Sequence, residues 1–467
     1  MKEKSHLSES TYDDETKGVK TLLGNPKKAI IKLATPMIIA MSVTTLYNLV
    51  DAIWVSGLGP DALAAVGFVF PFMFMAMALA NGLGIGGGSS ISRKIGAKDK
   101  KGADSVAVHT LILMLIIAIF FTLPIFFFAD EIFSLIGAGQ TTPLAAEYAR
   151  IISTGATVIF FSFIANAILR AEGDAKRAMF AMALGGILNI VLDPIFIYSF
   201  GLGVAGAAFA TVLSMSVSSI LLFYWLFLKK NTYLTFVFRK FQFRKEIIKD
   251  IFKVTIPASF QQLSMSVMML MMTILVVGVG GTDGVAVFSA GWRIATIAIM
   301  PLLGIATAVV TVTGATYGAK EYKKLNAAYM YALKLGTIVE IGIAVATFVL
   351  APVITLAFTQ SKDASRIADD LTTFLRIICV FYPGVAFGML SSSTFQGVGK
   401  GVNALVVSIL RTIILIVPLA WILSSILGLP GAWWGLVAGA LIGSFVAFLW
   451  AKLYIRKLIR SPKPVEQ

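Results

Sequence analysis

Stretches of about 20 consecutive apolar residues, the length that crosses a hydrocarbon layer of ~30 Å, follow one another along this chain with short polar gaps between them. The predicted spans are 33–55, 62–91, 105–128, 147–169, 177–199 and 204–228, then 254–278, 284–313, 328–352, 369–395, 402–426 and 431–455. In lipid, every backbone N–H and C=O needs a partner inside its own segment or in a closed barrel, and runs this long predict helices. The fold class expected is all-α and polytopic, with about twelve transmembrane helices.

The polar gaps are of two kinds. One set is basic: Arg93, Lys94, Lys98, Lys100 and Lys101; Arg170, Lys176 and Arg177; Lys320, Lys323 and Lys324; Lys400; Arg456, Lys457 and Arg460; and the stretch KKNTYLTFVFRKFQFRKEIIKD at 229–250. The other set is short (SGLGPD, VGGTDG) or mildly acidic, as at Asp130 and Glu131, with Arg150, Lys362 and Arg366 as exceptions. Lys and Arg accumulate in cytoplasmic loops, which predicts a multi-pass protein of the cell membrane with both termini in the cytoplasm. Residues 1–26 have no apolar core of their own and read as a cytoplasmic tail rather than a signal peptide.

Composition agrees. The chain is 58% hydrophobic and 13% charged, where soluble domains hold roughly 45–50% and about 25%. A net charge of +15 in a compact basic patch would suggest nucleic acid, but here the charge is dispersed among the gaps, and no nucleic-acid partner is expected. A single cysteine, Cys379, and two histidines, His6 and His109, leave no disulfide framework and no His- or Cys-ligated metal centre. Both histidines read as solvated or interfacial. There is no nucleophile–base set, so neither an enzyme nor a resident cofactor is expected.

The two halves repeat. GLGPDALAAV (57–66) aligns with VGGTDGVAVF (279–288), and IGAKDKK (95–101) with YGAKEYK (317–323), at a constant offset of 222. Pro36 aligns with Pro257, Gly173 with Gly397, Lys176 with Lys400, Pro194 with Pro418 and Gly206 with Gly431 at offsets of 221–225. An even number of spans per half makes the repeat parallel, related by an axis along the membrane normal. The organisation expected is a tail 1–26, an N-lobe 27–228, a linker 229–250, a C-lobe 251–457 and a tail 458–467, with two six-helix lobes.

The repeat is broken at polar positions. Asp51 aligns with Thr273, Asn189 with Ile413, Asp193 with Val417 and Thr211 with Leu436 or its neighbour. Carboxylates inside a bilayer are costly (~2.5–3.5 kcal/mol on insertion scales) and mark function. Asn189 and Asp193 share a helix face at i, i+4, and Tyr47 and Asn48 share one with Asp51. Two carboxylates with Asn, Thr and Tyr oxygens suit Na⁺, or a proton held between two repelling acids. The alternative, that each Asp bonds a backbone group near a helix end, stays open. Arg293 aligns with Pro71 and has a possible C-lobe role. Arg376, Arg411 and Glu340 read as interfacial or paired. GLGIGG (82–87) spells a dinucleotide fingerprint, but no strand precedes it, and close helix packing explains it better.

LYNLVDAIWVSGLG (46–59), the duplicated G-A-K loops, ILRAEGD (168–174) and LNIVLDPIFIY (188–198) together resemble the multidrug and toxic compound extrusion (MATE) family, most closely its DNA-damage-inducible branch. The resemblance runs from about Gly24 to the last span. It implies a two-lobed, twelve-helix antiporter that exports bulky, often cationic drugs in exchange for H⁺ or Na⁺. It further implies a cation site at Asp51, Asn189, Asp193 and Thr211, with these residues holding the metal if the ion is Na⁺. Tyr47, Asn166 and Met182 would lie near the drug chamber, and Pro36 would let the first helix bend. The expected partners are amphipathic drugs and membrane lipid, and the chain is expected to be a monomer. The rival is a flippase for a lipid or lipid-linked oligosaccharide, kept open by Arg293.

Overall fold

The computed structural model describes residues 16–229, 231–239, 241–359 and 365–460. His6, Lys362 and most of both tails lie outside them. Every regular element among the described residues is helical. A short helix α1 (Lys17–Leu23) precedes α2 (Pro26–Ser56), α3 (Pro60–Gly96), α4 (Lys100–Leu135), α5 (Thr142–Thr154), α6 (Ala156–Ala171), α7 (Ala175–Pro194) and α8 (Gly203–Phe223). Then come α9 (Lys245–Gly318), α10 (Tyr322–Phe358), α11 (Ala368–Ile378), α12 (Phe381–Gly397), α13 (Gly401–Ile409), α14 (Ile416–Leu427) and α15 (Leu429–Arg460).

Among the described residues nine helices are long and apolar enough to cross a membrane, and two pairs, α5–α6 and α11–α12, bent by 50° and 49°, pass the same test together, which gives eleven if each pair is one crossing. The 74-residue α9 is broken at Gly281, whose φ of 56° and ψ of −150° suit a residue without a Cβ. Counting α9 as two crossings gives the twelve spans. Large apolar side chains such as Phe120, Phe127, Leu270, Val349 and Leu453 stay exposed on the outside, as lipid contact requires.

Polar residues fix where the helices begin. Asn25 accepts from the N–H groups of Lys27 and Lys28, with Pro26 at the first helical position, where its missing N–H costs nothing. Asp99 accepts from Gly102 N–H at 2.8 Å and Asp174 from Arg177 N–H at 3.1 Å. These caps lie at the basic end of the bundle, which α2, α4, α7, α10 and α13 leave in the same direction.

The duplication is visible in the backbone. Lys98 and Lys320 adopt the same left-handed conformation, φ 57° and 56°, and Gly59 and Gly281 both have positive φ. At the next loop the register differs from the sequence alignment. Gly173 (φ 89°) is matched by Gly399 (φ 78°). Asp174 N–H bonds Leu169 O just as Lys400 N–H bonds Phe395 O. The offset there is 226, so Gly173 pairs with Gly399 rather than Gly397, and Lys400 with Asp174 rather than Lys176. Turn geometry, not the nearest identical letter, sets the register. Residues 415–419 are apolar in either register, so the C-lobe still lacks the acidic pair.

At the basic end the lobes interlock. A Cβ on Gly96 would overlap the Ala315 carbonyl, and one on Gly318 the Arg93 carbonyl, so α3 and the end of α9 touch backbone to backbone. Arg93 binds Asp250 at 2.7 Å and donates to Ser89 Oγ at 3.1 Å and Gly397 O at 3.2 Å. The glycines of GLGIGG serve this packing: Gly82 and Gly86 face Ser259 and Thr255 of α9, and Gly84 faces Ala167 of α6.

Candidate functional site

Two adjacent glycines assemble the site. On α7, Gly185 leaves room for Ser218 of α8, and Gly186 for Val43 and Tyr47 of α2. α2 and α7 run in parallel, so a turn or two beyond these contacts Asp51 arrives beside Asp193. On the other side, Asn189 Nδ2 donates to Thr211 Oγ1 of α8 at 3.3 Å and to Asp193 Oδ1 at 3.1 Å. Pro194 closes α7, and its missing N–H is followed by a π-turn at Ile195–Ser199, a distortion frequent at functional sites.

The structure thus brings Asp51, Asn189, Asp193 and Thr211 together from three helices. Asp193 is 0% and Asn189 1% exposed, whereas Asp51 and Thr211 are half-buried. Asp193 Oδ2 and Asn189 Oδ1 have no amide or hydroxyl donor. The carboxyls of Asp51 and Asp193 lie within hydrogen-bonding reach of each other. Two carboxylates are acceptors only, so a hydrogen bond between them requires a proton on one of the two. Orphaned oxygens in a buried acidic pair form a site able to take up a cation, and Na⁺ would draw on the Asn189 and Thr211 oxygens as well.

The other predicted residues are placed differently. Tyr47 borders the acidic pair over Gly186, while Asn48 is exposed. Asn166 is 3% exposed, with Nδ2 donating to Ser162 O at 2.8 Å and Oδ1 unpartnered. Met182 is half-buried and packs on the main apolar core. Pro36 is buried inside α2, which runs through it without a non-helical residue. Arg293 on α9 is exposed and forms no ion pair among the described residues.

Several residues escaped the sequence reading. Tyr148 of α5 is buried, within electrostatic reach of Asp51 and Asp193; its place in the fourth span gave no signal. Tyr198 donates to Trp54 O at 2.6 Å and ties the ends of α7 and α2 together just past the acidic pair. His109 is 1% exposed rather than solvated: its Nδ1 sits 2.7 Å from Ser105 O, and its Nε2 accepts from Arg244 N–H at 3.1 Å. Arg150 and Arg366, the exceptions to the charge pattern, pair with Asp130 at 2.5 Å and Asp283 at 2.7 Å. Glu340 is neither interfacial nor paired: it is 0% exposed, with both oxygens unpartnered. Arg411 also keeps an unpartnered buried Nη1, between Gly388 and Gly443.

Comparison with known proteins agrees with this architecture. The sequence model of the MatE family matches residues 36–195 and 257–422. The multidrug export protein MepA of Staphylococcus aureus (strain MSSA476) is 27% identical over 427 residues, covering 90% of this chain and 92% of its own length. A crystal structure of a MATE in the straight conformation superposes with a TM-score of 0.93 at 48% identity, covering 96% of this chain and all of the other. A transporter of the MOP superfamily from Pyrococcus furiosus, described as having a binding pocket of reverse polarity that suggests a different function, superposes with a TM-score of 0.92 at 48% identity, covering 96% and 99%. With more than half its length matched and its two lobes shared, this multi-pass membrane protein belongs to the MatE family of transporters.

Proposed function

We propose that the protein is an H⁺- or Na⁺-coupled antiporter that exports amphipathic, often cationic, organic compounds by alternating access between its lobes. It would work in the cell membrane with both termini and the basic end in the cytoplasm, as a monomer. The observation that carries this reading is the pair of half-buried Asp51 and buried Asp193, set with Asn189 and Thr211 in one lobe only. Relatives that export multiple drugs support the substrate class.

A cation entering the pair neutralises it and changes the hydration of the N-lobe wall. An ion can drive the cycle only through a difference in its affinity for the two conformations. Here the difference arises because this arrangement leaves oxygens orphaned that another arrangement of α2, α7 and α8 would expose. Tyr47, beside the pair, would place bound drug and ion in competition, with Asn166 and Met182 as the softer candidates for drug contact.

The test is uptake of a fluorescent cationic dye into proteoliposomes under an imposed pH or Na⁺ gradient, for wild type, Asp51→Asn and Asp193→Asn. Uptake driven by one gradient and lost in both variants supports the reading and names the ion. Unchanged uptake in both removes the carboxylates from the mechanism. The neighbour with a pocket of reversed polarity and the exposed Arg293 favour a second reading, transport of an anionic lipid. Fluorescent lipid analogues in the same vesicles decide between the two.

A further inference from the structure

The N-lobe pair is not the whole complement of buried acid. Glu340, midway along α10, is 0% exposed and neither of its oxygens has a partner. One turn earlier, Gly336 packs against Leu302 of α9 and against Ala386 and Leu390 of α12, so Glu340 enters an apolar seam between these helices. The titratable group facing it is Tyr382, at the start of α12, which also lies near Cys379 just before that helix. Tyr382 is 0% exposed with an unpartnered hydroxyl, and Cys379 Sγ lies 3.0 Å from Leu375 O.

No cation neutralises Glu340 among the described residues. Arg376 of α11 is exposed and lies over the Phe348 ring at 5.6 Å. Arg293 of α9 and Lys334 of α10 are exposed. Arg411 meets α12 at Gly388 and α15 at Gly443, and position 388 is turned away from 386 and 390 on the helix. The acids and phenols of α2, Asp51 and Tyr47, belong to the N-lobe site. In the repeat, Glu340 corresponds at offset 222 to Ala118, itself fully buried, so the duplicated packing is satisfied by a methyl group and needs no carboxyl.

An ionised carboxylate buried without a partner costs several kcal/mol, so this seam accommodates the neutral form of Glu340 far better than the ionised one. Glu340 can release its proton only where the seam opens. We propose that Glu340 is a second proton-carrying carboxyl of the transport cycle, housed in the C-lobe, which exchanges its proton with water when the packing of α9, α10 and α12 opens. The O–H bond of the carboxyl breaks to water as the seam hydrates and re-forms before it closes. This rests on the proton-coupled form of the proposed function.

The experiment is the balance point of coupled transport. The full chain in proteoliposomes is given opposing gradients of pH and of a cationic dye, and the pH difference that just halts dye flux is found for wild type and Glu340→Gln. A variant that still transports, but needs a steeper pH gradient for the same dye ratio, carries fewer protons per dye and supports the proposal. An identical balance point overturns it. If Glu340→Gln does not transport, infrared difference spectra decide. A protonated-carboxyl C=O band that vanishes from wild type on dye binding at alkaline pH, and is absent from the variant, supports the proposal; a band indifferent to both pH and dye overturns it. Asp51→Asn and Asp193→Asn in the same vesicles report on the N-lobe mechanism separately, so its failure and the failure of this inference are distinguishable.

Discussion

The two lobes share a backbone and differ in their interiors. Gly59 precedes α3 and Gly281 breaks α9, both with positive φ, Lys98 and Lys320 turn left-handed at nearly the same angle, and Gly96 and Gly318 pack on the Ala315 and Arg93 carbonyls of the opposite lobe. Inside, the N-lobe carries an acidic pair. The C-lobe instead carries a neutral network: Gln261 donates to Ser392 at 2.9 Å and to Ser408 at 2.8 Å, and accepts from Gln396 at 2.8 Å. Duplication has preserved what the fold needs, small residues and turns, while the buried polar groups have diverged. A polar group that appears in one copy alone is therefore a better guide to chemistry than one present in both.

The comparison breaks most sharply if coupling survives loss of the N-lobe pair. Asp193→Asn and Asp51→Asn should each lower gradient-driven dye uptake by about 5–150-fold, the span of a coupling free energy of ~1–3 kcal/mol. Gln261→Ala in the C-lobe should instead lower Tm, because it strands three hydrogen-bonding partners at ~1–3 kcal/mol, and leave the dye-to-ion coupling intact. If Gln261→Ala uncouples transport while Asp193→Asn does not, the assignment of lobes is reversed.

Much of this contrast was legible in the sequence. Span number followed from apolar length and the shared face of Asn189 and Asp193 from helical spacing, while their grouping with Asp51 and Thr211 as one site followed from the family resemblance. What stayed hidden depends on three-dimensional neighbours. The 226-residue offset at Gly173 and Gly399 could not be read from letters, since Gly397 offered a nearer match and only φ separates them. Tyr148 and His109 sit far from their partners in sequence. Glu340 reads as paired because most embedded charges are; its isolation is a property of the seam around Gly336, not of its own helix.

The shared basic end gives the next test. Gly96→Val adds a branched side chain where a Cβ already overlaps the Ala315 carbonyl, and overpacking of this kind costs ~1–3 kcal/mol. The closed arrangement should lose about one order of magnitude in population. Labels at Ala97 and Ala319 should report a longer distance. Gly67→Ala on the same helix has nothing within 4 Å of the new methyl and should change nothing.

A smaller effect separates the lobes by pH at that end. Glu172, between α6 and α7, is 2% exposed and accepts from the N–H groups of Tyr233 at 3.0 Å and Leu234 at 3.3 Å, docking the linker on the N-lobe. Burial, then the charge of Asp174, lifts its carboxyl from 4.5 to about 8, against the pull of those N–H groups and Arg177. The docked state therefore holds the proton more tightly than an exposed glutamate does. Its contribution is fully present below 4.5 and declines as pH rises to about 8. Hydrogen exchange at Tyr233 and Leu234 should accelerate over that window in wild type and not in Glu172→Gln. The matching C-lobe loop, with Val398 in that place, should show no such response.

The finest test leaves both carboxylates in place. Tyr198 O–H reaches Trp54 O at 2.6 Å, one turn beyond Asp51 on α2 and just past the π-turn that follows Asp193 on α7. The two rings also meet edge to face, with centroids 6.1 Å apart. Tyr198→Phe keeps the ring contact and removes the hydrogen bond, at a cost of about 0.5–1.5 kcal/mol. If that bond sets the spacing of the acidic pair, coupling should weaken by roughly two- to tenfold with Tm nearly unchanged, and the variant's dye uptake should saturate at a steeper ion gradient. A drop in Tm with coupling untouched would make the bond a mere fastening of helix ends. The N-lobe site would then owe its geometry to Gly185 and Gly186 alone, whose contacts with Ser218 and Tyr47 already bring the three helices to the distance at which Asp51 meets Asp193.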